Sequence, residues 1–134
     1  MTQSASTAGS SIESELKGAR SSATKLRVFH IPDDILTFVT IAPEQIESFS
    51  AVEVHEVTEK GEIDGTLAAL VAAQPHPASE SAEMRWKLVF SDAADARILE
   101  VYAASRPRQL GLIGKTYVAF ANEALTAWLY KNFA

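Results

Sequence analysis

The 134-residue chain has no cysteine. That removes a disulfide scaffold and every thiolate-based site, and it leaves the redox compartment unread. Long hydrophobic runs are missing as well: none approaches the roughly 18 residues that span a bilayer. The N-terminus also lacks the basic start and unbroken apolar core of a signal peptide. Cytoplasm is therefore the default expectation, with a periplasmic or membrane-tethered location following if an upstream signal was removed. Basic charge is in short supply, 12 Lys and Arg against 17 Asp and Glu for a net charge of -5. Phosphate-backbone binding depends on clustered Lys and Arg, so no nucleic-acid partner is expected.

What is present fits an ordinary globular domain: 47% hydrophobic and 22% charged residues argue against disorder and against a fibre. A chain of this length buries roughly two thirds of its unfolded surface and needs no staple. The charge is uneven. Residues 1–83 carry five basic against thirteen acidic side chains, and residues 84–134 carry seven against four. Such asymmetry orients a protein partner or a small anionic ligand, unless both halves simply expose solvated charge.

Residues 1–24 are Ser-, Thr-, Ala- and Gly-rich, with Ile12 and Leu16 as the sizeable apolar side chains, and read as a flexible tail that forms at most a transient helix. Order is expected from Lys25. Residues 25–31 read as a strand ended by Pro32-Asp33-Asp34, Ile35–Ile41 as a second strand and Pro43–Phe49 as a short helix. Val52–Thr58 reads as a third strand, Lys60-Gly61 as a turn, and the segment around Leu67, Leu70 and Val71 as a helix ended by Pro75 and Pro77. Residues 74–83 then read as a polar connection.

The last third is the clearest. Trp86, Leu88 and Phe90 alternate on one strand, and Leu99, Val101 and Ala103 on the next. Pairing Phe90 with Leu99 and Leu88 with Val101 puts every large apolar group on one side, sets Lys87 opposite Tyr102 and leaves Ala93–Ala96 as the loop. Leu110–Ile113 and Thr116–Phe120 read as strands around Gly114-Lys115. Asn122 is a good N-cap for a final helix with the stripe Leu125, Trp128, Leu129 and Phe133.

Chemistry is thinner. Gly114-Lys115-Thr116 invites comparison with a phosphate-binding loop, but Gln109 stands where an earlier glycine is required and a strand follows instead of a helix. His30, His55 and His76 lack the three- or four-residue spacing of a helical metal pair, so neither a metal nor a cofactor is expected. His30 lies near Asp33 and Asp34, yet no serine stands in a nucleophile-elbow context. Glu53, Glu56, Glu59, Glu62 and Asp64 read as a solvated edge that resists strand-to-strand aggregation.

Arg106-Pro107-Arg108 presents two guanidinium groups on a stiffened loop, suited to carboxylate or phosphate. With Arg85, Lys87 and Lys115 on the same side and Tyr102 and Tyr117 as flat contact area, the candidate binding residues are Arg85, Lys87, Tyr102, Arg106, Arg108 and Lys115. The alternative is a solvated loop that offsets the acidic half.

These features predict one α+β domain over residues 25–134: an antiparallel sheet of about five to seven strands, two to three helices mainly on one face, and the C-terminal helix capping the 84–104 hairpin. The expected core is Val28, Ile35, Phe38, Ile46, Leu67, Leu70, Trp86, Leu88, Phe90, Leu99, Val101, Leu125, Trp128 and Leu129. The expected function is a non-catalytic binding module, such as an adaptor, an inhibitor or an immunity-type protein. It would engage another protein, or a second copy of itself, through a sheet face or the Arg106 loop. A small enzyme or ligand carrier using His30, Asp33 or Tyr102 is the alternative, and a tethered extracytoplasmic domain is a third reading.

Overall fold

A computed structural model describes residues 4–35, 40–80, 82–105 and 108–133. The expected strand Ile35–Ile41 lies mostly outside these, as do Phe38 and Arg106.

Strand propensity and alternation from Lys25 onward build a single antiparallel sheet. Its strands are β1 (Lys25–His30), β2 (Glu53–Val57), β3 (Pro75–Pro77), β4 (Met84–Ser91), β5 (Arg97–Ala104), β6 (Leu110–Ile113) and β7 (Thr116–Phe120). Their order is β2-β1-β4-β5-β6-β7-β3. The β4–β5 hairpin has the expected register, with Phe90 opposite Leu99, Leu88 opposite Val101 and Lys87 opposite Tyr102. The pairing then shifts between Phe90 and Ser91, so that Ser91 faces Arg97. Asp92 closes the loop by accepting the N–H groups of Ala94 and Ala96 at 2.9 and 3.0 Å. Between β6 and β7, Gly114 takes a left-handed φ of 59°, a conformation in which a side chain is strained.

Among the described residues three α-helices, α1 (Ser4–Ser22), α2 (Lys60–Ala72) and α3 (Ala124–Phe133), pack on one face, and a 3-10 helix, Pro43–Ser48, lies on the other. The main core joins Leu26, Val28, Trp86, Leu88, Phe90, Leu99 and Val101 from the sheet to Ile63, Leu67, Leu70, Leu125, Leu129 and Phe133 from α2 and α3. A second core, with Phe29, Ile31, Ile46, Val89 and Tyr102, lies under the 3-10 helix. Of the other expected core residues, Ile35 and Trp128 are partly buried.

Three expectations are corrected. Residues 4–22 form a helix where a flexible tail was expected. Ile12, Leu16, Ala19 and Ala23 recur at spacings of four, three and four and are all buried in the main core, so two alanines complete a stripe that two large residues only suggest. Lys60 and Gly61 open α2 where a turn was expected, because the Glu59 side chain accepts the Glu62 N–H at 3.1 Å and caps the helix. Pro75–Pro77 is a short edge strand on β7 within the expected polar connection. As expected, Asn122 caps α3 by accepting the Ala124 N–H at 2.9 Å, and its amide also donates to the Ala72 carbonyl at 3.0 Å, tying α3 to the end of α2. No described helix is long and apolar enough to cross a membrane.

Candidate functional site

β4 is buried along its full length, so access to the sheet lies at its margins. One margin holds a groove between α1, the end of α2 and β3, with a volume of about 440 Å³. That volume falls within the range of ligand-holding clefts. Local backbone chemistry shapes it. Gln74, just past α2, has φ 53°, a left-handed turn that costs a non-glycine residue about 1–2 kcal/mol. Its N–H donates to the Val71 carbonyl at 3.0 Å, and the chain reverses directly into β3.

The floor is apolar. Ile12 and Leu16 line it from α1, Val71 from α2 and Pro75 and Pro77 from β3. Leu67 and Leu70 are buried as their spacing requires, but Val71 is 49% exposed and turns toward the groove. The exposed side chains of Lys17 and Arg20 and the ring of His76 supply the rim. Neither Lys17 nor Arg20 makes an ion pair among the described residues, whereas Lys25, Arg27, Arg85, Lys87 and Arg97 on the sheet are each paired within the chain. β3 cannot extend the sheet in the usual way, because Pro75 and Pro77 have no N–H to donate.

The residues expected to form a binding surface are dispersed. Arg85 is buried; its guanidinium bonds Glu83 at 3.0 Å and the carbonyls of Pro32 and Ile35 at 3.0 and 2.9 Å, pinning the chain that follows β1. Lys87 and Tyr102 do come together, on the face of the 3-10 helix. Lys87 Nζ is 2.5 Å from Glu47, 3.7 Å from Glu100 and 5.1 Å from the Tyr102 ring centre. Arg97 closes the network with two bonds to Glu47, at 2.8 and 3.0 Å, and a contact with Glu100 at 3.2 Å. These hydrogen bonds from Arg97 first, then Lys87, hold the Glu47 carboxyl at about 2 against the opposing effect of burial. Burial on its own would lower Lys87, but its bonds to Glu47 and Tyr102 leave it above the ordinary lysine range. Arg108 is exposed, and Lys115 lies beside Arg97, Glu100 and Glu15 in a shallower cleft of about 260 Å³.

The acidic residues also have separate tasks. Glu56 pairs with Arg27 at 3.1 Å, Asp64 with Lys60 at 3.2 Å, and Glu59 caps α2. Among the described residues no group of three His, Asp or Glu side chains is arranged to hold a metal ion. The groove itself escapes sequence reasoning because its wall is the segment that reads as a tail; the four-three-four spacing of Ile12, Leu16, Ala19 and Ala23 is the signal that points to it.

No family model matches this chain, and neither a curated protein nor a solved structure is similar to it.

Proposed function

We propose that the chain is a non-catalytic binding module whose groove between α1, α2 and β3 holds a segment of a partner protein. The observation that carries this reading is the juxtaposition of a half-exposed Val71 on an apolar floor with Lys17 and Arg20 at the rim, cations that make no ion pair among the described residues. An apolar side chain inserted there leaves water, and a carboxylate beside it in the partner meets the rim charges. The donor-free edge of β3 favours side-chain insertion over strand addition.

Selection of displayed random peptides on the wild type, with counter-selection on Val71→Asp, tests the reading. Expected are peptides that join Leu, Ile or Phe to Asp or Glu, and that bind about tenfold more weakly after Val71→Asp, about 1.4 kcal/mol. Lys17→Glu with Arg20→Glu should weaken them further, and more at low salt than at high salt. Recovered peptides whose affinity ignores both sets of substitutions, or a failure to recover any, would count against this surface.

A further inference from the structure

Beneath the last turn of α3 lies a buried polar ring that makes no hydrogen bond among the described residues. His30 ends β1, opposite Glu53 of β2 and Trp86 of β4, and it is 4% exposed. Its ring lies flat on the Trp86 indole, with centroids 3.7 Å apart and planes 12° from parallel. Tyr130 of α3 meets both rings edge-on, at 6.0 and 5.3 Å. Phe133, one turn further, sits 5.6 Å from the ring of His55 on β2. Among the described residues neither nitrogen of His30 has a hydrogen-bond partner, and the same is true of His55 Nε2 and Trp86 Nε1. Buried polar atoms are nearly always satisfied, and a cluster of orphans at one spot calls for a physical account.

We propose that His30 is an acid-sensitive latch on the C-terminal helix: uncharged, it is sealed under Tyr130, and taking up a proton it releases the last turn of α3. The uncharged ring suits its site because it stacks on indole and brings no charge into an apolar seal. The charged ring needs an anion or water. Asp33, after β1, already accepts the Tyr130 hydroxyl at 2.6 Å. Glu53 of β2 is 4.0 Å from His30 Nδ1, beyond hydrogen-bond reach, and is 55% exposed. His55 on β2 and Arg85 on β4 both oppose a positive charge on the ring. Burial outweighs the attraction of Asp33 and Glu53 and holds His30 below the ordinary imidazole value of 6.5. Lifting the last turn admits water to the ring, and a helix end is where opening disturbs the fewest other contacts.

The sign follows from linkage. The closed state refuses a proton that the open state accepts, so closure is complete above pH 6.5 and weakens as pH falls below it. At pH 5.5 an ordinary imidazole is about nine-tenths protonated, which shifts the equilibrium toward opening by up to about tenfold.

Two measurements on the full chain test this: amide hydrogen exchange of residues 129–133 at pH 7.5 and 5.5, corrected for intrinsic exchange, and an NMR titration of the His30 ring. Expected are an opening constant that rises by up to about tenfold at the lower pH, a His30 ring that titrates below the ordinary imidazole value of 6.5, and a His30→Phe variant whose exchange shows no such rise. A His30 ring that titrates at or above 6.5 overturns the proposal, as does wild-type protection that is equal at both pH values. His30→Phe following the wild-type decline would move the sensor to His55 or His76 and also overturn it. If that variant fails to fold, the ring titration and the wild-type exchange decide.

Discussion

Glu47 stands between two cations, and that position sets its contribution. Lys87 is only 5% exposed; a buried ammonium is costly unless paired, and removing its partner leaves the cost uncompensated. The sequence alone places Lys87 opposite Tyr102 with Glu100 nearby, because strand alternation dictates both. It does not reveal Glu47, which arrives from the 3-10 helix between β1 and β2, far from β4 in the chain order, and is brought close only by folding. The carboxyl of Glu47 is depressed from 4.5 to about 2, so its stabilisation is fully present above pH 4.5 and is lost as pH falls toward 2. The shift corresponds to roughly 3 kcal/mol. Urea unfolding should therefore show wild-type stability declining across that window. Glu47→Gln should start lower by roughly 2–3 kcal/mol at pH 7 and decline less on acidification. Parallel acid profiles for the two proteins would remove Glu47 from this account.

At the scale of elements, the packing of α2 on α3 includes one close approach. Gly65 lies under the Trp128 ring, and a Cβ placed there would fall 2.6 Å from Trp128 Cη2. The same indole donates from Nε1 to Thr66 Oγ1 at 2.9 Å, so its ring is held from two sides. Helix propensity favours Gly65→Ala by about 1 kcal/mol, but overpacking costs about 1–3 kcal/mol, and displacing the indole strains its part-buried hydrogen bond to Thr66. Thermal unfolding should show Gly65→Ala destabilised by about 1–2 kcal/mol; a stabilised variant would mean that α3 shifts freely. The helices themselves were legible to different degrees. Asn122 and the stripe from Leu125 to Phe133 announce α3, and alternating Trp86, Leu88 and Phe90 announce β4 with its register. α1 was hidden because alanine marks a buried stripe weakly when serine surrounds it, and β3 was hidden because proline argues against a strand everywhere except at an edge. The groove falls between these two unread elements, which is why the sequence points to Arg106 and Arg108 instead.

For the whole molecule, the seven-stranded sheet has two edges, protected by different means. β3 is three residues long with proline at both ends, so it offers neither length nor donors. β2 is five residues long, contains no proline and exposes Val54 at 53%; nothing in its backbone prevents another strand from pairing with it. Its protection is charge, from Glu53 and Glu56, both exposed, with Glu56 only partly neutralised by Arg27 and Lys25 at 3.1 and 3.9 Å. Two such edges meeting bring like charges together, which disfavours edge-to-edge association. Glu53→Thr with Glu56→Thr keeps strand propensity and removes that repulsion. Sedimentation velocity should then show self-association rising with concentration in the double variant, while the wild type shows less at the same concentration, and high salt should narrow the difference by screening the native charges. Equal sedimentation of the two proteins at every concentration and salt would show that geometry, and not charge, keeps β2 apart from other strands.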